Sequence, residues 1–283
     1  MLRGTGSGSR AGWVRPRRAN PGRLKAMVKG KYAALAKAGD AGASCCGAVS
    51  AASGEIACFS EGYSGLEGHE PAADLGLGCG LPTQSADIRP GNTVLDLGSG
   101  AGNDAFVARS LVGESGRVIG VDMTEAMIEK AERNRAKLGH ANVEFRLGEI
   151  EALPVADDSI DVVISNCVLN LVPDKAKAYA EIRRVLKPGG HFSISDIVLS
   201  GPLPERMRTV AALYAGCVAG AMVKSEYLFA VLGAGFKDIR IDKERELAIP
   251  DAVLAEHLQP EEIRVLRLSG ARILSITLRA SKG

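Results

Sequence analysis

From Asn92 onward the chain alternates short apolar runs with longer stretches of helical period, and this continues to about Asp242. That rhythm is the pattern of a parallel sheet with crossover helices. Thr93-Val-Leu-Asp-Leu97, Arg117-Val-Ile-Gly-Val-Asp122, Asn142-Val-Glu-Phe-Arg-Leu147 and Ile160-Asp-Val-Val-Ile-Ser165 are brief and β-branched or leucine-rich, so each predicts a strand. After the second strand, Thr124 is placed to cap a helix whose inward face is Met127, Ile128 and Ala131. A helix from Asp174 to Leu186 should stop at Lys187-Pro-Gly-Gly190, with a strand from His191 to Ser195 behind it. Met207, Val210, Leu213 or Tyr214, and Cys217 fall on one face of a further helix from about Pro204, and strands are expected near Ile239 and Ile276. The expected class is α/β, a doubly wound, mostly parallel sheet with a small C-terminal α/β extension. The divisions expected are a basic, disordered leader over 1–31, a cysteine-bearing segment over 32–91, the sheet core over 92–200, and helices and strands over 201–283.

Composition narrows the function classes. With 283 residues, 46% of them hydrophobic and 24% charged, the chain can bury a core without staples. Twelve aromatics offer few stacking platforms, so a nucleic-acid surface is not favoured. No apolar run approaches the roughly 20 residues that span a bilayer, so no membrane partner is expected. The net charge of +2 conceals an asymmetry, because residues 1–39 hold ten Lys or Arg and no acid, leaving 25 bases against 33 acids and −8 on the body. An acid-free, Arg-rich start reads as a leader, with organellar targeting the alternative to a cytoplasmic protein that begins at a later Met such as Met27. Six cysteines without a secretory pattern suit a reducing compartment.

The first strand ends in Asp96-Leu-Gly98-Ser-Gly100-Ala-Gly102, ahead of a helix over Asp104 to Leu111. Strand, glycine turn and helix together form a nucleotide-type site in which backbone approaches the ligand closely. The spacing is G-x-G-x-G, whereas a dinucleotide fingerprint is G-x-G-x-x-G. Asp122, at the end of the second strand, is placed to accept hydrogen bonds from ribose hydroxyls. Asn166-Cys167 directly follows the fourth strand, which puts a thiol at the mouth of the crevice. Cys79 lies in a glycine-flanked, flexible run, Gly76-Leu-Gly-Cys-Gly80, and Cys217 on the later helix. No pair has C-x-x-C spacing, which argues against a zinc knuckle.

In Gly78-Cys-Gly80, Asp96 to Gly102, Gly120-Val-Asp-Met123, Gly148-Glu-Ile150, Ile164-Ser-Asn-Cys-Val-Leu-Asn-Leu171 and Gly216-Cys217 the sequence resembles the arsenite S-adenosylmethionine methyltransferases, from about Tyr63 to Phe236. The glycine loop and Leu186-Lys-Pro-Gly-Gly190 are shared by many Rossmann-like methyltransferases; the run around Cys167 and the three thiols are more specific. The resemblance implies S-adenosylmethionine as cofactor, held by Asp96, Gly98, Gly100, Gly102, Asp122, Met123, Glu149, Ile150 and Asn166. It implies that Cys79, Cys167 and Cys217 bind As(III), presented as arsenite in a thiol conjugate. A cysteine nearer the N-terminus would be the disulfide partner of Cys79. Cys46 is counted with the catalytic thiols on that ground, with Cys45 open as the alternative.

The chemistry agrees with those residue types. As(III) is soft and thiophilic, so three thiolates suit it and leave its lone pair free to attack a sulfonium methyl held in line. No general base is needed, and His69, His140, His191 and His257 read as loop or surface residues. Two electrons must return after each methyl transfer; cysteine pairs can supply them by forming a disulfide, and the resemblance implies that route, with reduction by thioredoxin or glutathione. Two other readings remain at this point: a Rossmann methyltransferase for a small organic substrate, and a non-catalytic thiol protein that binds metalloids.

Overall fold

The computed structural model describes residues 21–37, 61–203, 220–248, 254–255 and 258–283. The apolar runs form β1 (Thr93–Leu97), β2 (Arg117–Asp122), β3 (Val143–Leu147) and β4 (Ile160–Asn166), each within one residue of its expected limits. With β5 (Leu186–Leu199) they are parallel, and β7 (Ile273–Lys282) runs antiparallel between β5 and β6 (Phe236–Leu247). The sheet order is β3-β2-β1-β4-β5-β7-β6. Helices α1 (Pro21–Lys37), α2 (Pro82–Ser85), α3 (Asn103–Val112), α4 (Glu125–Leu138), α5 (Lys175–Val185), α6 (Lys224–Gly233) and α7 (Pro260–Ser269) surround it.

Alternation along each strand splits the core into two layers. Val94 of β1, with Val118, Val162 and Ile164, packs on Phe106 of α3 and Ala131 of α4. Leu95 and Leu97 face the other way and join Tyr179, Ile182, Phe192, Tyr227 and Phe236. Helices cover both faces, as a doubly wound sheet requires.

Two expectations are corrected. The strand expected from His191 begins at Leu186, because the Lys187-Pro-Gly-Gly190 run continues the strand; it sits at a register shift between the Ile160 and Val162 pairings, where a proline without an N–H is tolerated. The C-terminal α/β extension joins the same sheet: β6 and β7 complete it, and Leu199 pairs with Ile273. Of the stretch expected to be a disordered leader, residues 1–20 lie outside the described residues and 21–31 belong to helix α1. Val28 and Ala36 are buried and Tyr32 and Leu35 half-buried, an apolar stripe at helical spacing that composition had hidden beneath the lysines. The helix expected from Pro204 lies outside the described residues, as do Cys45, Cys46, Cys58, Cys217 and His257. Among the described residues, no helix is long and apolar enough to cross a membrane.

Candidate functional site

β1 and β4 are neighbours, but their crossovers leave in opposite directions, and a crevice opens at the carboxyl ends of such a pair. Here it encloses about 1080 Å³, its open mouth included. Its floor is the glycine turn after β1. The amides of Gly98 and Ser99 donate to the Val121 carbonyl of β2 at 2.7 and 3.1 Å, which fastens the turn to the next strand. Gly98 has φ +67°, and a Cβ there would lie 2.5 Å from Val168 Cγ2, so backbone shape and packing both demand glycine. Asp122 closes the arrangement by accepting from the amides of Gly100 (3.1 Å) and Thr124 (2.8 Å). Thr124 occupies the N-cap of α4 without a side-chain capping bond, and Met127 and Ala131 point inward as expected.

The crevice wall contains Asp96, Gly98, Gly100 and Asp122. Met123, Glu149, Ile150 and Asn166 join it from the ends of β2, β3 and β4, together with Cys167. Gly102 stands behind the wall, at the start of α3 against Phe106 and Phe145. Glu149 is ion-paired with Lys25 of α1 at 2.7 Å, and Lys25 also pairs with Glu151.

The wall is strongly acidic. Burial pushes the Asp96 carboxyl well above the usual carboxylate range, with Asp104 and Asp122 adding repulsion, and Asp96 Oδ2 is buried without a hydrogen-bond partner. Asp104 is pushed up to about 6 by burial, held back by hydrogen bonds from Asn166 and Tyr63. Burial also raises Asp122, opposed by the Thr124 and Gly100 amides. Buried acids raised by desolvation and by one another mark a place where a cationic ligand is favoured. S-adenosylmethionine fits it: a sulfonium and an ammonium offer charge to these carboxylates, and ribose hydroxyls can donate to Asp122.

Several wall residues were not found from the sequence, Asp104 among them. Lys25, Val28 and Tyr32 come from α1, which spans the end of the expected leader and the start of the cysteine-bearing segment, and Tyr63 enters from the 61–81 segment. Tyr63 Oη donates to Asp104 at 2.9 Å, a contact across 41 residues that no local pattern announces.

Cys79 and Cys167 are both buried and belong to one apolar cluster with Ile197, Leu199, Leu203 and Ala221. The stretch 204–219, which carries Cys217, therefore has Leu203 before it and Ala221 just after it on the cluster that holds the other two thiols. Cys167 has φ +61°, a left-handed conformation rare for a side-chain-bearing residue, and its amide donates to the Ser195 carbonyl at 2.7 Å. Cys79, expected on flexible backbone, is instead pinned: its amide donates to Asn166 Oδ1 at 3.0 Å and its carbonyl accepts from Ser275 Oγ at 2.6 Å. Its flanking glycines allow a close approach rather than mobility, since a Cβ on Gly78 would lie 2.6 Å from Asn166 Nδ2 and one on Gly80 2.6 Å from Ser195 Oγ. His191 lies on β5 with its ring bonded to the Ala86 carbonyl, and His69 faces Asp74, so neither approaches the thiols' role.

The chain is similar to the arsenite methyltransferase of Halobacterium salinarum, 45% identical over 240 residues that make up 80% of this chain and 61% of that protein. It is 39% identical to the arsenite methyltransferase of Aquipseudomonas alcaligenes over 72% of this chain and 58% of that one. The chain thus spans about six tenths of the length of these relatives. An arsenic (III) S-adenosylmethionine methyltransferase from Chlamydomonas reinhardtii, solved by X-ray crystallography, superposes with a TM-score of 0.59 at 42% identity, covering 69% of this chain and 64% of that one. Residues 88–248, more than half the chain and the whole span from the glycine turn to the end of β6, match the family described as "Methyltransferase domain". The glycine floor and the wall acids Asp96, Asp104 and Asp122 lie within that span, and by this match the chain belongs to the methyltransferase domain family.

Proposed function

We propose that the protein transfers methyl groups from S-adenosylmethionine to trivalent arsenic, with As(III) held by Cys79, Cys167 and Cys217. The observation that carries this reading is the common cluster: Cys79 and Cys167 pack with Leu203 and Ala221, which lie on either side of Cys217 in the sequence, beside the crevice. The names of the relatives supply the substrate class.

The residues have distinct parts in this reaction. Asp96, Asp104 and Asp122 offset the cofactor's positive charge, and the glycine turn lets backbone lie against it. The cofactor supplies an electrophilic methyl on sulfonium sulfur. Cys167, on the crevice wall, brings the arsenic lone pair toward that methyl, which is catalysis by alignment. Thiolates bind arsenic without protonating its lone pair, so no general base is assigned. Transfer forms an arsenic–carbon bond, turns the sulfonium into a thioether and leaves arsenic formally pentavalent. Two cysteine thiolates return two electrons by forming a disulfide, with Cys79 and either Cys45 or Cys46 as the exchanging pair, and thioredoxin or glutathione reduces it. That reduction suits a reducing compartment such as the cytoplasm.

The test is incubation of the purified protein with As(III), S-adenosylmethionine and a thiol reductant, followed by arsenic speciation. Methylated arsenicals are expected; their absence, with cofactor binding intact, discards the reading.

A further inference from the structure

The side chain of Asn166 carries more long-range bonds than its neighbours on β4. Its Oδ1 accepts from the amides of Cys79 (3.0 Å) and Gly80 (3.4 Å), while Nδ2 donates to the Gly80 carbonyl (2.8 Å), Tyr63 Oη (2.7 Å) and Asp104 Oδ2 (3.1 Å). The Tyr63 hydroxyl receives one of these bonds and passes its own hydrogen to Asp104. Three segments, from the 61–81 region, the start of α3 and the end of β4, thus meet at one amide. That amide belongs to the residue directly before Cys167 and grips the backbone of Cys79, 87 positions earlier. With its amide committed to this task, Asn166 has little capacity left for a cofactor bond.

We propose that Asn166 is a positioning residue that sets the Cys79 thiol in register with Cys167, with Tyr63 and Asp104 completing the network. The inference rests on the arsenic reading insofar as a common substrate for the two thiols is concerned. A site that joins ligands from separate segments works only when they are held to within about 0.5 Å, and locked supporting hydrogen bonds provide that. Asn166 is the direct link between these two, because the peptide it shares with Cys167 and the amide it offers to Cys79 are four bonds or so apart. Asp104 adds a second consequence: its carboxylate lines the cofactor crevice as well as holding Tyr63 and Asn166, so the thiol register and the crevice share one group.

The test uses the full chain, reduced with a phosphine, and follows alkylation of each cysteine by iodoacetamide with mass spectrometry. Asn166→Ala should raise the rate at Cys79 at least about tenfold relative to Cys167, since loss of the bond to the Cys79 amide alone shifts a local opening equilibrium by that much. Cys167 keeps its amide bond to Ser195, and general loosening of the fold would raise both rates together. In turnover, KM for As(III) should rise about tenfold while that for S-adenosylmethionine moves less than about threefold. Tyr63→Phe keeps the ring and loses only the hydroxyl, and should shift the same ratio about threefold; it decides the matter should Asn166→Ala fail to fold. An unchanged Cys79 to Cys167 ratio in folded variants, or a rise confined to the cofactor KM, overturns the proposal. A shifted ratio in a protein that methylates no arsenic upholds the network and overturns the arsenic reading.

Discussion

Asp196 sits in the middle of β5, fully buried, with Oδ1 accepting from Asn170 Nδ2 (2.7 Å) and the Ile197 amide (3.0 Å) and Oδ2 accepting from Tyr227 Oη (3.1 Å). Burial pushes its carboxyl up to about 7, against the opposing pull of Lys175 and of these hydrogen bonds. In the unfolded chain the group titrates near about 3.9. The folded protein therefore keeps a proton that the unfolded chain has already released, and stability falls as pH rises between those two values and levels off above about 7. Three units at about 1.4 kcal/mol each set the full penalty at about 4 kcal/mol, of which about 2–3 kcal/mol falls between pH 5 and pH 8. Asp196→Asn removes the titration and preserves the geometry: the amide oxygen still receives Asn170 and Ile197, and its NH₂ donates to the Tyr227 hydroxyl, which turns to accept. Lys175, Tyr179 and Tyr227 face the same position, and in the variant each loses the upward pull of the Asp196 carboxylate on its own ionisation. Urea unfolding of both proteins at about pH 5 and about pH 8 should show the parent losing about 2 kcal/mol more than the variant across that interval. Asp96, Asp104 and Asp122 tilt both proteins in the same direction and cancel in the comparison. Parallel losses, equal within about 0.5 kcal/mol, would show that Asp196 ionises normally and would refute the argument.

Further predictions concern the crevice and the thiols. Gly98→Ala, forced into left-handed backbone and against Val168, should cost about 2–4 kcal/mol in unfolding free energy and abolish measurable cofactor binding by calorimetry. Asp122→Ala removes the acceptor that holds the Gly100 and Thr124 amides and should raise the apparent cofactor constant about tenfold to hundredfold in a methyl-transfer assay. Lys25→Ala should weaken cofactor binding by about threefold at low salt and by less at high salt, since the pairs to Glu149 and Glu151 stand partly in solvent. Cys167→Ser and Cys217→Ser should each reduce As(III) methylation to background by arsenic speciation, whereas Cys79→Ser and the Cys45, Cys46 double change should mainly stop the first methylation.

What the sequence disclosed follows from range. β1, the glycine turn and Asp122 are legible because strand period, turn chemistry and an acid at a strand end all act within about 30 residues. Cys167 at the crevice follows from its place after β4, and the sheet carried it there. The hydrogen bonds of Tyr63, Asp104 and Asn166 join positions 41 to 103 apart, and nothing in the local pattern around any of them signals the others. Lys25 was hidden for a different reason: charge counting over residues 1–39 averaged away the stripe of Val28, Tyr32 and Leu35 that folds α1 onto the crevice. Asp196 and Asn170 escaped notice because a polar residue inside an apolar strand shows its burial only once Tyr227 and Lys175 are packed against it.

The left-handed backbone at Cys167 has a bearing on how this position can drift over generations. Any residue with a side chain gives up about 1–2 kcal/mol to sit there, and glycine gives up none. A duplicate copy relieved of its chemistry would therefore find Cys167→Gly close to neutral, because the relaxed main chain would offset much of what the buried sulfur contributes. With the two contributions close to balance, fold stability alone does little to hold a thiol at this spot, and a natural variant carrying glycine here would still be a folded protein.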